Sequence, residues 1–252
     1  MNPNNYKITI ITAAYNSLNT FLDSYKSVLA QTYTNWEWII IDDCSSDGSF
    51  EYIRNLVKDN PKIILKRNKH NSGSAVARNV GLKIATGRYV TFLDSDDFLD
   101  DIYLESQLLF IKENGPIITS GYRRIGNKTI TNFIPKPTIS YKKLLYGCDT
   151  SCLTTMFDRT IIQNAYFREN LLKDEDYVFW LEILERGYIC KTNQRVLASY
   201  RISKTSKNGN KLKLFGPIFN VYHNVLKFNI FKTFWHIVFY FFYGLKKYHN
   251  VK

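Results

Sequence analysis

The chain has 252 residues, 45% of them hydrophobic and 22% charged. That length supports one large domain or two small ones, buries roughly 70% or more of the unfolded surface and needs no disulfide staples. The composition excludes collagen-like, low-complexity and disordered chains. The formal net charge of +12 is unevenly spread: residues 1–185 sum to −1, while residues 186–252 carry 13 Lys and Arg and no Asp or Glu. The four cysteines, Cys44, Cys148, Cys152 and Cys190, form no C-x-x-C pair, as expected of buried or incidental thiols in a reducing compartment. The first residues, MNPNNYKITI, show no basic stretch leading into an apolar one. No secretory signal is therefore expected, and the cytoplasm is the expected location.

The first half alternates short β-rich runs with amphipathic stretches. KITIITA (7–13) predicts a strand, and the helical spacing of Leu18, Phe21, Leu22, Tyr25, Val28 and Leu29 predicts a helix over 17–31. WEWIIID (36–42) is a second strand, followed by a helix over 46–57 with Asp47 as a natural cap, then a third strand at 62–68. GSAVARNVGLKIATG (73–87) reads as a helix ending at Gly87, and RYVTFLD (88–94) as a fourth strand. A helix follows over 100–114, further strands with a turn near Gly126-Asn127, and a strand then a helix start in 150–162. Strand and helix in this alternation predict βαβ units and a mainly parallel sheet, with ligands bound beyond the carboxyl ends of the strands.

Acidic residues gather at those ends. The second strand runs into Asp42-Asp43 and the fourth into Asp94-Ser95-Asp96-Asp97. Carboxylates brought that close repel unless a cation neutralises them. Mg²⁺ or Mn²⁺ takes oxygen ligands, and Mg²⁺ sites combine one or two carboxylates with substrate phosphates. By itself a D-x-D is equally a row of helix N-caps. Asp174-Glu175-Asp176 opens a helix through Leu184, where acidic residues also suit the helix macrodipole. No G-x-S-x-G, H-E-x-x-H, G-x-x-x-x-G-K-[ST] or G-x-G-x-x-G is present, and three of the four histidines lie in the basic tail.

Taken in order, IITAAYN, IIIDDCSSDGS, ARNVGLKIATG and YVTFLDSDDFL resemble the family 2 glycosyltransferases, which have the GT-A fold: a Rossmann-like α/β sheet flanked by helices. The resemblance covers about residues 6–101 and resumes at LLKDEDYVFWLEILERGY (171–188). It implies an inverting transfer from a UDP-sugar to a hydroxyl. It places the nucleotide at Ala13 through Tyr15, with Tyr15 near the uracil, and at Asp43, with Asp42 beside it. Arg78 corresponds to the basic residue that reaches the nucleotide or diphosphate, Asp94 to the ribose or metal-side carboxylate with Ser95 next to it, and Asp96 to the ligand of Mn²⁺ or Mg²⁺. The Glu175-Asp176 pair implies the general base, Asp176 first and Glu175 second.

The expected division is a glycosyltransferase domain over 1–205, its nucleotide-sugar half 1–101 and its acceptor half 102–205, with a basic aromatic helical tail over 206–252. Thr233 to Leu245 lacks Lys, Arg, Asp and Glu, but at 13 residues it falls short of the ~20 that span a bilayer. It is either an interfacial helix or one packed on the domain. A lipid-linked saccharide acceptor at the cytoplasmic face of the inner membrane is the expected partner, in O-antigen or capsule synthesis. Nucleic acid is not, since no recognition motif is present. The rival readings are a non-catalytic membrane-surface protein and a sugar nucleotidyltransferase. The latter lacks its Gly-rich basic loop in Thr12-Ala13-Ala14-Tyr15-Asn16.

Overall fold

The computed structural model describes residues 6–126, 130–171, 173–202 and 215–249. Asn127 of the expected turn and the 205/206 boundary lie outside them. In chain order the elements are β1 (Ile8–Ala14), α1 (Phe21–Leu29), β2 (Trp36–Asp42), α2 (Ser49–Val57), β3 (Ile63–Arg67), α3 (Ser74–Ile84), β4 (Tyr89–Phe92), β5 (Phe98–Leu99) and α4 (Tyr103–Asn114). There follow β6 (Ile117–Ile125), β7 (Ile130–Phe133), β8 (Thr138–Ile139), α5 (Tyr141–Leu144), β9 (Met156–Asp158), α6 (Glu175–Glu185) and β10 (Cys190–Arg201). The tail adds α7 (Phe215–Phe219), a π-helical turn (Asn220–Val225) and α8 (Ile230–His249).

One ten-stranded sheet runs β3-β2-β1-β4-β9-β6-β10-β5, with β7 beside β6 and β8 beside β10. The β3-β2-β1-β4 half is parallel, β9 joins it antiparallel to β4 and β6, and β10 returns parallel to β6. Period-two alternation along the strands feeds two cores. Ile8, Ile10, Trp38 and Ile40 pack with α1, α2 and α4 on one face, where Phe21 stacks on Trp38 at 5.5 Å. Ile11, Ile39 and Ile41 pack with α3, α6 and the tail residues Ile218, Val221, Tyr222 and Ile237 on the other. Both faces of the parallel half are covered, which is why β2 could be a nearly unbroken apolar run.

Three boundaries differ from the sequence reading for local reasons. The first helix starts at Phe21 rather than Ser17, because Asn16 takes a positive φ of 49° and the Ser17 carbonyl accepts the Thr20 and Phe21 amides in a turn. The third helix stops at Ile84. Gly87 must approach β1 so closely that a Cβ there would lie 2.7 Å from the Thr9 nitrogen, and Glu37 accepts the Thr86 and Gly87 amides at 2.6 and 3.1 Å. No helix begins directly after β9 within 159–162; Asp158 caps a turn through Thr160 instead, accepting its amide at 2.9 Å. Among the described residues no helix is long and apolar enough to cross a membrane. Cys152 and Cys190 are buried thiols, Cys44 and Cys148 half-buried ones.

Candidate active site

Because β1 lies between β2 and β4 and all three are parallel, their carboxyl ends open onto one edge. Ala13 is half-buried in the last turn of β1, and Tyr15 beyond it is 49% exposed. Asp42 and Asp43 are both buried. Asp42 pairs with Arg67 at 3.2 Å and accepts the Ser45 amide at 3.1 Å, while its other oxygen has no hydrogen-bond partner among the described residues. Asp43 receives the Asn68 side chain at 2.8 Å and the backbone amides of Ser72 at 3.0 Å and Gly73 at 2.7 Å. Gly73 presents its amide from φ +89°, a conformation that favours glycine. Asp43 thus shapes the loop that launches α3. Asp47 is not the expected cap of the second helix: Gly48 takes the N-cap position at φ 89° without a side-chain bond, and Asp47, one residue earlier, accepts the Ser49 amide at 3.0 Å.

The D-x-D segment follows β4. Arg78, only 6% exposed on α3, donates to Asp94 at 2.7 Å and to Glu175 at 3.4 Å. Its guanidinium is held over the Phe167 ring at 5.3 Å, and Phe167 in turn stacks on Phe179 of α6 at 4.0 Å. One arginine therefore joins the fourth-strand end to the start of α6, where Glu175 lies 97 residues from Arg78 in sequence. Ser74 also donates to Glu175. Ser95 is buried, with its carbonyl accepting from the Thr20 hydroxyl at 3.1 Å. Burial, then the charge of Asp94, pushes the Asp96 carboxyl above the usual carboxylate range. Asp97 is driven up further by burial and by the charges of Asp94 and Asp96; one oxygen accepts the Arg201 amide at 2.8 Å and the other has no partner among the described residues. Arg201 reaches the backbone carbonyl of Asp96 at 3.0 Å rather than its carboxylate.

No cluster of three His, Cys, Asp or Glu side chains stands ready to hold a metal among the described residues. The residues still fit a hard divalent cation. Two carboxylates sit at a strand end with negative charge in excess, and such a cation completes its shell with substrate phosphates and water.

At the opposite wall, Asp176 accepts its neighbour Tyr177's amide at 2.7 Å. Burial, then Glu175, raises its carboxyl. Cys152 is buried beside this cluster, its thiol pushed up chiefly by burial and also by the charges of Asp176, Asp94 and Glu175. Asp174 precedes α6 in the left-handed region at φ 60°, with one oxygen buried and unpartnered among the described residues. Burial, then the charges of Asp176 and Glu175, raises it from 3.8 to about 6. A carboxyl raised on folding costs stability as pH climbs from about 4 to about 6, and the cost persists above. Asn tolerates the same backbone. Asp174→Asn should therefore leave stability unchanged at pH 4 and raise it by about 1–3 kcal/mol at pH 8, measured by urea unfolding at both. An equal effect at the two pH values would refute this.

Arg67, Arg201, Ser74, Asn68 and Cys152 were not legible as site residues. Their only signal is contact with carboxylates distant in sequence, as Arg201 and Asp97 are 104 positions apart.

This sheet order with acidic loops at one edge is that of the GT-A glycosyltransferases. The family model described as "Glycosyl transferase family 2" matches residues 9–173. The chain belongs to that family and is a glycosyltransferase. It is 38% identical over 211 residues to the Escherichia coli UDP-Glc:alpha-D-GlcNAc-diphosphoundecaprenol beta-1,3-glucosyltransferase WfgD, covering 82% of each chain. To WfaP of E. coli, described in the same words, it is 38% identical over 208 residues, covering 82% of this chain and 81% of that one. Among solved structures, Staphylococcus aureus TarS 1-349 in complex with UDP-GlcNAc aligns with a TM-score of 0.71 at 19% identity, covering 89% of this chain and 68% of that one. The mannosyltransferase PcManGT of Pyrobaculum calidifontis, in complex with GDP-Man and Mn²⁺, aligns with a TM-score of 0.68 at 16% identity, covering 88% and 64%. At those identities the likeness is one of fold.

Proposed function

We propose that this chain transfers a hexose or N-acetylhexosamine, with inversion, from a UDP-sugar to a hydroxyl of a lipid-linked saccharide during surface-polysaccharide synthesis such as O-antigen or capsule. The observation that carries this reading is the bridge of Arg78 between Asp94 and Glu175, which brings the strand-end carboxylates and the α6 acids to one place. The names of WfgD and WfaP, with a UDP-Glc donor and a diphosphoundecaprenol-linked acceptor, favour the same donor and acceptor classes here. We assign residues 1–101 to the donor, 102–205 to the acceptor and the basic tail to peripheral attachment at the cytoplasmic face of the inner membrane.

In the proposed reaction the base and ribose lie along Ala13, Tyr15, Asp42 and Asp43, with Asp94 and Ser95 at the ribose and phosphates. Asp94 and Asp96 would hold Mg²⁺ or Mn²⁺, which supplies charge neutralisation for the departing diphosphate. Arg78 lies close enough to Asp94 to add positive charge on the same side. Asp176, ionised, accepts the proton of the acceptor hydroxyl as that oxygen bonds to the anomeric carbon. The bond from that carbon to the diphosphate breaks, UDP leaves with the electron pair, and attack from the opposite face inverts the centre. An α-linked donor so gives a β-linked product.

The test is UDP release from a panel of UDP-sugars with a GlcNAc-diphosphate-lipid acceptor, with Mn²⁺ or Mg²⁺ and with EDTA. Release with at least one donor is expected, dependent on metal and acceptor, with a β-linkage in the product by NMR. Metal-independent turnover would overturn the metal assignment, an α-linkage the inversion, and inactivity towards every UDP-sugar the donor class.

A further inference from the structure

We infer that the outward face of α8 is a docking surface for an anionic lipid bilayer. This deepens the membrane-surface part of the function proposed above and rests on it. The helix is two-faced, but the side turned away from the domain is not polar. Phe231, Phe234, Trp235, Val238, Phe242 and Leu245 recur at three- and four-residue spacing and line one stripe. Phe231 is 86%, Trp235 58% and Phe242 65% exposed. A contiguous exposed apolar stripe of this kind marks an interaction surface.

The opposite face is already committed. Thr233, His236 and Ile237 are buried against the domain. Tyr243 donates to the buried carboxylate of Asp149, and its ring lies so close to Gly147 that any Cβ there would overlap it. Beneath the helix, Tyr222 donates to the Leu145 carbonyl at 2.6 Å and meets the Tyr177 hydroxyl of α6 at 3.0 Å. These contacts pin the rotation of α8, so the aromatic stripe cannot turn inward. They also keep the helix from standing across a bilayer, since one side is covered by protein. A helix lying in the interface, its apolar face a few ångströms below the headgroups, satisfies both conditions.

Charge selects the occupant. The tail over 206–252 carries eight Lys and no acidic residue, and Lys246-Lys247 directly follow the apolar run. That field complements anionic headgroups, whereas a second copy of the same +8 tail would be repelled. Because α8 is tied to the 145–152 loop and to α6, docking would set the acceptor side of the site beside the bilayer.

Trp235 is a built-in reporter. The chain has four tryptophans, and Trp36, Trp38 and Trp180 are buried. The full-length protein is mixed with phosphatidylglycerol/phosphatidylethanolamine vesicles or with phosphatidylcholine vesicles, with and without brominated acyl chains. Sedimentation should show binding at least about tenfold tighter to the anionic vesicles, weakening with salt. Brominated chains should quench the fluorescence in wild type but not in Trp235→Phe, which should still bind. Phe231→Ser with Phe242→Ser should bind at least about tenfold more weakly while keeping the thermal shift produced by UDP with Mn²⁺. The inference is overturned by wild-type protein that ignores anionic vesicles, by a double variant that binds as wild type does, or by a stripe that mediates self-association without vesicle binding. A lost UDP response in wild type would instead count against the transferase reading, leaving the docking result to stand by itself.

Discussion

Asp176→Asn is expected to lower kcat by about 10²–10⁴ while leaving UDP binding and folding intact. Asn keeps the shape and still accepts the Tyr177 amide, but it cannot take a proton from the acceptor. The base works ionised, and burial with the Glu175 charge holds its carboxyl above the usual range. The acid limb of the wild-type kcat profile should therefore lie at higher pH than an ordinary carboxylate would give, and it should disappear in the variant. Asp174, Glu175 and Asp176 interact, so the limb belongs to the group rather than to one residue. Glu175→Gln should act differently. Glu175 is tied to Ser74 and Arg78, so its loss weakens the bridge between the two walls more than it removes a proton acceptor. Full turnover in Asp176→Asn would assign the base elsewhere.

The second large effect is expected at Asp96. Asp96→Ala should reduce metal-dependent turnover by about 10³-fold, in line with the several kcal/mol that a bound cation contributes to a leaving diphosphate. It should also abolish the extra thermal stabilisation that Mn²⁺ adds to UDP. Fold stability should hardly change or should rise slightly, because removing Asp96 relieves a buried charge beside Asp94. Asp94→Ala is the contrasting case, since it strips a 2.7 Å partner from a buried arginine and should destabilise the protein as well. If Asp96→Ala kept its metal response, the cation would have to be held by other groups.

Much of the parallel half was legible because each of its elements announces itself locally. Trp36–Asp42 formed as read, and the amphipathic spacing of Ile53 and Val57 gave the second helix. The acidic strand ends could be placed on one edge from the βαβ alternation alone. The second half was less open to reading. β10 went unread because KTNQRVLASYR mixes charges and amides into its alternation, and its stability comes from β6, some 70 residues away. β9, the strand expected within 150–162, is three residues long, and its antiparallel direction against β4 and β6 has no local signature. At the site, sequence singled out Arg78, Asp94 and Glu175 but not their pairing, because a guanidinium shared by two carboxylates is a property of packed walls. Asp43 was read for a nucleotide contact; its bonds to Asn68, Ser72 and Gly73 depend on a loop whose shape no spacing reveals.

The position of β10 also sets where this protein can be cut. The match to the family model ends at residue 173, yet β10 lies between β6 and β5 and also pairs with β8. A fragment ending at 173 would leave the long β6 with a bare edge and orphan two short strands, the condition under which sheets recruit one another. The smallest autonomous piece of this chain is thus drawn by strand order, not by where the family model stops matching, and it cannot end before Arg201.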